Sequence, residues 1–553
     1  MKIGKGAAAA LFALAFSAGA MAQVVPQAVK KAEASIDPEK IRAHVRFLAD
    51  DLLEGRYPGL RGGELAAKYI ATQFALDGLK PAGDNGTYLQ WIDFVGMKVI
   101  PDKTTFALVP HNGKQIDLKF ADDYTVTNET LTPSVDVDAP IVFVGYGITA
   151  PEFNWNDYAG VDVKGKVILC IVGDPPSNDP KFFGGKALTY YGRWTYKFEQ
   201  AARMGAVGAL IIHRTDLASY GWDVVRNSNT SERTFLKNDK IPPLDAASWI
   251  QLEVARRLFA ASGMNLDTEM TAAGKRGFKA VELPLHLKAH IQSTVRRFRS
   301  PNVVGILPGT KAGKNQAVLY TAHYDHLGFV PGMKGDNIYN GAADNGTGCG
   351  ILLELARAWG SMAVKPPHDV IFAAVTAEEQ GLLGSEYLGQ HPPIPAGQIA
   401  LDLNYDMILP IGIPREINVN GAQRTTFYPT VEATAKRFGL AIVPDPHPEA
   451  GTYYRSDHFS LSRVGIPAFS IDPGTLYEGH DRAWGEAQDK DYNEHRYHNF
   501  SDNYTPQMDF RGNAKLARFG MELGWEAISA PHTIQWKPGD EFAAARKASE
   551  QSK

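Results

Sequence analysis

VLYTAHYDH, residues 318–326, is an apolar run that stops abruptly on two imidazoles and a carboxylate, His323, Asp325 and His326. Such a run reads as a fully buried strand whose polar side chains begin where the chain leaves the sheet. The pattern recurs on either side. Residues 370–376 run into Ala377-Glu378-Glu379-Gln380-Gly381, residues 399–403 into Asn404-Tyr405-Asp406-Met407, and further strand-like runs lie at 303–307 and 466–471. Helical periodicity fills the intervals, at 351–359 and later at 514–528. Strands alternating with helices predict a doubly wound, mostly parallel α/β sheet, and sheets of that kind bind ligands at the carboxyl ends of their strands.

Each polar cluster has a bland explanation when taken alone. His-x-Asp matches by chance, although an imidazole with a carboxylate behind it is also how metal-binding histidines are oriented. Asp344, in Gly341-Ala342-Ala343-Asp344-Asn345-Gly346-Thr347-Gly348, sits near a helix start where capping and the helix dipole favour an acid. Glu378 and Glu379 are adjacent acids at a turn, Asp406 is a turn residue, and Tyr497-His498 is one more tyrosine and imidazole, with Asp502 a helical turn later. Together they differ from their parts. Two histidines and several carboxylates at successive strand-end loops make the mixed nitrogen and oxygen donor set that suits zinc and related divalent ions, and like charges so placed need a cation. His-Glu-x-x-His is absent, which argues against a helix-borne single-zinc protease. The loop at 341–350 lacks the Lys-Ser/Thr ending of a phosphate loop. Ser456, Asp457 and His458 are neighbours in sequence with no Gly-x-Ser-x-Gly elbow, a poor basis for a hydrolase triad.

The 553 residues exceed one ordinary core, so more than one packed unit is expected. Hydrophobic content of 44% with 21% charged residues and a net charge of -4 fits a globular chain and gives no basic surface for nucleic acid. Residues 1–22, with Lys2 and Lys5 before an apolar run and Ala20-Met21-Ala22 at its end, read as a secretory signal cleaved after Ala22. The product is then expected in the periplasm or secreted, without a transmembrane anchor. Helical periodicity from residue 37 to about 90 opens a first part of the metal-binding domain, 23–133. Short β-branched runs at 135–144, 167–172 and 207–212, with one helix around 198–204, form a β-rich insert at 134–290, and 291–532 completes the main domain. Residues 533–553 read as a loose tail. Cys170 and Cys349 fall in different domains and read as two buried, unpaired thiols.

The ordered set Ala322-His323-Tyr324-Asp325, Gly341 to Gly348 around Asp344, Ala377-Glu378-Glu379-Gln380-Gly381, Asn404-Tyr405-Asp406-Met407, Arg455-Ser456-Asp457-His458 and Tyr497-His498 with Asp502 resembles the co-catalytic two-zinc exopeptidase family that includes bacterial leucyl aminopeptidases and glutamate carboxypeptidase. The resemblance implies the zinc exopeptidase, phosphorylase/hydrolase-like fold with an inserted protease-associated (PA) domain. It implies two zinc ions per chain, one held by His323 and Asp406, the other by Glu379 and His498, with Asp344 bridging. Glu378 would be the general base, Tyr497 would stabilise an oxyanion, and Asp325 would support His323. The implied substrates are peptides with a free amino terminus. A carboxypeptidase of the same family, with Arg455 facing a terminal carboxylate, a single-zinc glutaminyl cyclase and a non-catalytic binding protein are the alternatives. His326, His480 and His495 are further imidazoles near the expected site, and the oligomeric state is open.

Overall fold

In the computed structural model, which describes residues 25–218, 220–236, 241–311 and 316–551, the opening stretch forms the strand Ala317–His323 with every residue buried. Alternate side chains leave a strand on opposite faces. Val318, Tyr320 and Ala322 accordingly join one apolar cluster and Ala317 and Leu319 another. Helices Gly348–Gly360, Arg511–Ser529 and Pro38–Leu48 cover the first face. Helices Leu383–Gln390 and His458–Arg463 cover the second through Leu388 and Leu461. A strand covered on both faces has no solvent side, which is why its sequence is continuously apolar.

Strands Ala468–Ser470, Ile399–Asn404, Ala317–His323 and Val370–Val375 lie side by side in that order, all parallel. The chain passes from Ala317–His323 to its neighbour Val370–Val375, then crosses to Ile399–Asn404 on the opposite side. Winding therefore reverses between the strands that end near His323 and Asn404, and loops leaving such a reversal diverge into a crevice. Helix Pro38–Leu48 shows how the outer layer is specified. Asp37 accepts the Glu39 amide at 2.9 Å, a proline occupies the first turn, and Ile41, Val45 and Leu48 form the buried stripe.

Beyond the parallel core the sheet becomes antiparallel and mixed. The 27-residue strand Val281–Leu307 pairs with Val370–Val375 at its end, with Leu89–Val99 in its middle, and with Ser134–Phe143 and Thr105–Pro110 at its start. It runs through residue 290 without a break and so joins the main domain to a second apolar core. That second unit has the order Ser134–Phe143, Val167–Ile171, Gly208–Ile212, Ala246–Ile250, Tyr124–Thr127. It therefore draws strands from before residue 134.

The two units meet along one seam. The Tyr190 ring packs on Phe459 at 5.1 Å and on Tyr454 at 6.4 Å, and Arg463 pairs with Glu199 at 3.1 Å. Contrary to the loose tail expected after His532, helix Ala543–Gln551 packs against the turn Ala396–Gln398 that leads into strand Ile399–Asn404. The buried Arg546 donates to the Ile399 carbonyl at 2.9 Å, and Trp536 and Phe542 are buried with Tyr453. Aromatic anchors spaced along the tail outweigh its charged composition. Both cysteines are buried and unpaired. Among the described residues no helix is long and apolar enough to cross a membrane, and the signal reading at 1–22 lies outside them.

Candidate metal centre

His323 closes its strand at the winding reversal, and its Nε2 stands 3.1 Å from Asp406 Oδ1, which follows the adjacent strand. The same nitrogen is 3.3 Å from Asp344 Oδ1. The other oxygen of that carboxylate, Asp344 Oδ2, is 3.3 Å from His498 Nε2, and His498 Nε2 is 3.0 Å from Glu379 Oε2. One carboxylate is thus shared between two donor sets, and residues spread from 323 to 498 meet in one place. Glu378 lies beside them, its Oε2 4.0 Å from His323 Nε2. The Tyr497 ring stacks on His498 at 3.9 Å.

Local backbone explains how Asp344 reaches inward. Gly341 has φ of +58°, and a Cβ there would collide with the Asp344 carbonyl oxygen. Asp502 accepts the amides of Ala343 and Asp344, each at 3.0 Å, and the Tyr492 hydroxyl at 3.2 Å. This acid therefore anchors the loop that carries Asp344, whereas the sequence reading set it behind His498. Asp325 differs similarly. Its carboxylate is 3.8 Å from His323 Nδ1, too far for a hydrogen bond. The ring bonds the Asp325 carbonyl oxygen at 3.3 Å instead, and the carboxylate accepts the Glu378 amide at 3.1 Å.

Several supports were not singled out from sequence. Asn345 donates to the Tyr405 carbonyl at 2.9 Å and accepts the Gly348 and Met407 amides, tying the Asp344 loop to the Asp406 loop. Ser456 donates to Asp406 Oδ2 at 2.6 Å. Arg56, 1% exposed, donates to the carbonyls of Leu48, Tyr324 and Gly341 at 2.6–2.9 Å and to that of Asn340. No local pattern marks it, because its partners are backbone atoms from distant loops. The sequence marks His326 only as an extra imidazole. Its Nδ1 is 2.6 Å from Glu379 Oε1, and its Nε2 is buried without a partner. Of the other two, His480 stacks on Trp484 at 3.7 Å, and His495 contributes a carbonyl to Ser501.

Charge decides whether this set fits a metal. Among the described residues two groups have ligand atoms mutually within 4.8 Å: His323, Asp344 and Asp406, and His326, Asp344 and Glu379. Burial opposes charge on His323, yet Asp406 and Glu378 outweigh it and raise its pKa well above normal. His498 is likewise raised against burial, chiefly by Glu379. Burial would lift Glu379, but His498 and His326 hold it down at about 2. Glu378 is pushed up by burial, with Asp406 and Glu379 adding. An acid-rich, imidazole-containing cluster of this kind is a donor set that suits zinc and related divalent ions.

A first prediction follows from the raised imidazoles. Metal ligands must be deprotonated, so rings protonated at neutral pH release protons on loading, and affinity rises with pH. Zinc titrated calorimetrically into metal-free protein near pH 7 should give a heat that varies with the ionisation enthalpy of the buffer. A buffer-independent heat would show the rings to be neutral.

The fold and the site together define a doubly wound α/β protein in which one carboxylate, Asp344, is shared between two groups of candidate metal ligands. Residues 302–518 match the family model of peptidase family M28. Over 110 residues the chain is 37% identical to aminopeptidase YwaD of Bacillus subtilis, covering 20% of this chain and 21% of that protein. Over 251 residues it is 28% identical to leupeptin-inactivating enzyme 1 of Streptomyces exfoliatus, covering 42% and 52%. These alignments span from about a fifth to about half of the relatives' length. In overall fold the chain is similar to an aminopeptidase from Aneurinibacillus sp. strain AM-1, with a TM-score of 0.50 at 19% identity, covering 93% of this chain and 98% of that one.

Proposed function

We propose that the chain removes amino-terminal residues from peptides at this centre, with two zinc ions: His323 and Asp406 for one, Glu379 and His498 for the other, and Asp344 between them. The observation that carries the reading is the Asp344 carboxylate, whose two oxygens each lie 3.3 Å from a different imidazole. Zinc held there supplies Lewis acidity to the scissile carbonyl and to the attacking water. Glu378, buried beside His323, takes the proton of that water and passes it to the leaving amine. The Tyr497 phenol is pushed up to about 12 by burial, so it stays protonated and donates to the developing oxyanion. His326 holds Glu379 in place from behind. A free amino terminus suits the surplus of acids here, which favours the aminopeptidase reading over the carboxypeptidase one.

The test is a panel of aminoacyl anilides and short peptides with free or acetylated amino ends, run with metal analysis. Two zinc ions per chain, cleavage only of free amino ends, loss on chelation and recovery with zinc are expected. Cleavage confined to peptides with a free carboxyl end and a blocked amino end would replace the reading by a carboxypeptidase. Asp344→Ala, which removes the shared ligand, should bring the content below one zinc per chain; retention of both would exclude a bridging role. The PA-domain reading of the second unit and export with cleavage after Ala22 belong to the same proposal. A mature chain recovered from the periplasm or medium should begin at Gln23.

A further inference from the structure

The turn that carries Glu378 is also held by a strand that arrives from the other unit. Helix Trp222–Thr230 belongs to the second unit: the Trp222 indole donates to the Ala121 carbonyl at 2.9 Å, and Val225 is buried with Ile168, Cys170 and Ile211. Three residues after that helix ends, the chain has left this core. Strand Arg233–Leu236 pairs antiparallel with Leu89–Val99 of the main sheet, Thr234 opposite Gly96 and Leu236 opposite Phe94. The entry is pinned. Arg296 donates to Glu232 Oε1 at 2.6 Å and Oε2 at 3.2 Å, and this carboxylate lies against Gly96, where a Cβ would stand 2.6 Å from Oε1.

The strand reaches the chain on both sides of the Glu378–Glu379 pair. Residues two apart on a strand share a face, as do residues directly opposite across a pairing. Leu236 and Phe94 thus lie side by side, and Leu236 packs against the buried cluster that Ile92 and Phe94 form with Ala377, the residue before Glu378. On the same face the Thr234 hydroxyl is 3.5 Å from Oε1 of Gln380, the residue after Glu379. Ala377 needs such support. Its φ is +57°, sparsely populated for a residue with a Cβ, and that conformation persists where packing over-determines it. Because the dihedrals of Ala377 orient the peptide that leads into Glu378, whatever holds Ala377 also aims the Glu378 side chain.

We propose that Leu236 and Thr234 are positioning residues for Glu378: the second unit lends one strand to the main sheet, and that strand sets the aim of the general base. The inference rests on the base assignment above. Leu236 carries the larger share, since the Thr234 contact is long for a hydrogen bond. The second unit thereby takes part in turnover without itself touching substrate.

The experiment is a double-variant cycle on the zinc-loaded protein with leucyl anilide as substrate. Leu236→Ala should lower kcat by about 10- to 100-fold, the scale of misplacing a catalytic group by about 1 Å, with KM and zinc content unchanged. Leu236→Met, which refills the space, should restore turnover to near wild type. In the Glu378→Gln background the same Leu236→Ala change should cost almost nothing further, because no base is left to aim. Phe235→Leu, on the opposite face of the strand, should leave kcat unaltered. A kcat unaffected by Leu236→Ala, an equal loss in Phe235→Leu, or a loss that multiplies with that of Glu378→Gln overturns the proposal. Should Leu236→Ala fail to fold, Leu236→Val carries the same cycle with a smaller loss. Near-normal turnover of Glu378→Gln alone would remove the base assignment and this proposal with it, a result separable from multiplying losses at the two positions.

Discussion

Glu378→Gln should leave zinc content unchanged and lower kcat by about 10³-fold, the middle of the range for losing a general acid–base group. Glu378 stands 4.0 Å from His323 Nε2 and is a base rather than a ligand in the proposed function, while its backbone amide is fixed by Asp325. The amide replacement keeps shape and removes the proton acceptor. KM should change little, because in the proposed reaction the carboxylate acts on the water and the leaving amine more than on substrate binding. Metal analysis and steady-state kinetics on the same preparation decide it. Near-normal turnover with both zinc ions present would falsify the assignment of the base.

The second large effect is on stability. Arg56 is buried, and its guanidinium is satisfied by four backbone carbonyls drawn from the end of helix Pro38–Leu48, the loop after His323 and the loop before Asp344. Its neighbours Asp502, Asp325 and Asp344 add opposite charge at longer range. Arg56→Met keeps most of the volume but strands those carbonyls in an apolar setting, at about 1–3 kcal/mol each before relaxation. A net loss of about 3–5 kcal/mol is comparable to breaking a buried ion pair. Spread over a chain of this size that lowers the thermal midpoint by about 3–4 °C. Zinc affinity should weaken with it, because the His323 and Asp344 loops lose their common anchor. An unchanged midpoint, followed by scanning calorimetry, would show that water replaces the guanidinium at no cost.

The donor atoms were legible in the primary structure because strand ends in an α/β sheet face one edge, so the residues directly after each apolar run are obliged to gather there. His323, Glu379 and Asp406 follow from that rule alone. Asp344 and His498 follow no strand; they stood out only as an acid in a Gly-rich loop and one more imidazole beside an acid, and the family resemblance assigned their places. The supports were less legible. Asp502 is near His498 in sequence yet serves the Asp344 loop, and Asp325 is near His323 yet holds the Glu378 amide, because hydrogen bonds go to whichever group the fold brings within reach. The apolar alternation Leu283, Leu285, Leu287, Ala289 and Ile291 is a readable strand signal. What it cannot show is that one strand continues through two sheets, since pairing partners come from elsewhere in the chain.

By itself, then, the order of residues determined the alternating α/β core and the chemistry of the centre, because both depend on local period and on residue type at strand ends. Tertiary structure alone decided that Asp344 faces two imidazoles, that Arg56 ties distant loops together, and that Tyr190 packs on Tyr454 and Phe459 across the seam. Each of these joins segments far apart in sequence, and such contacts are set by the packing of apolar faces, which carries no trace in any single stretch of sequence.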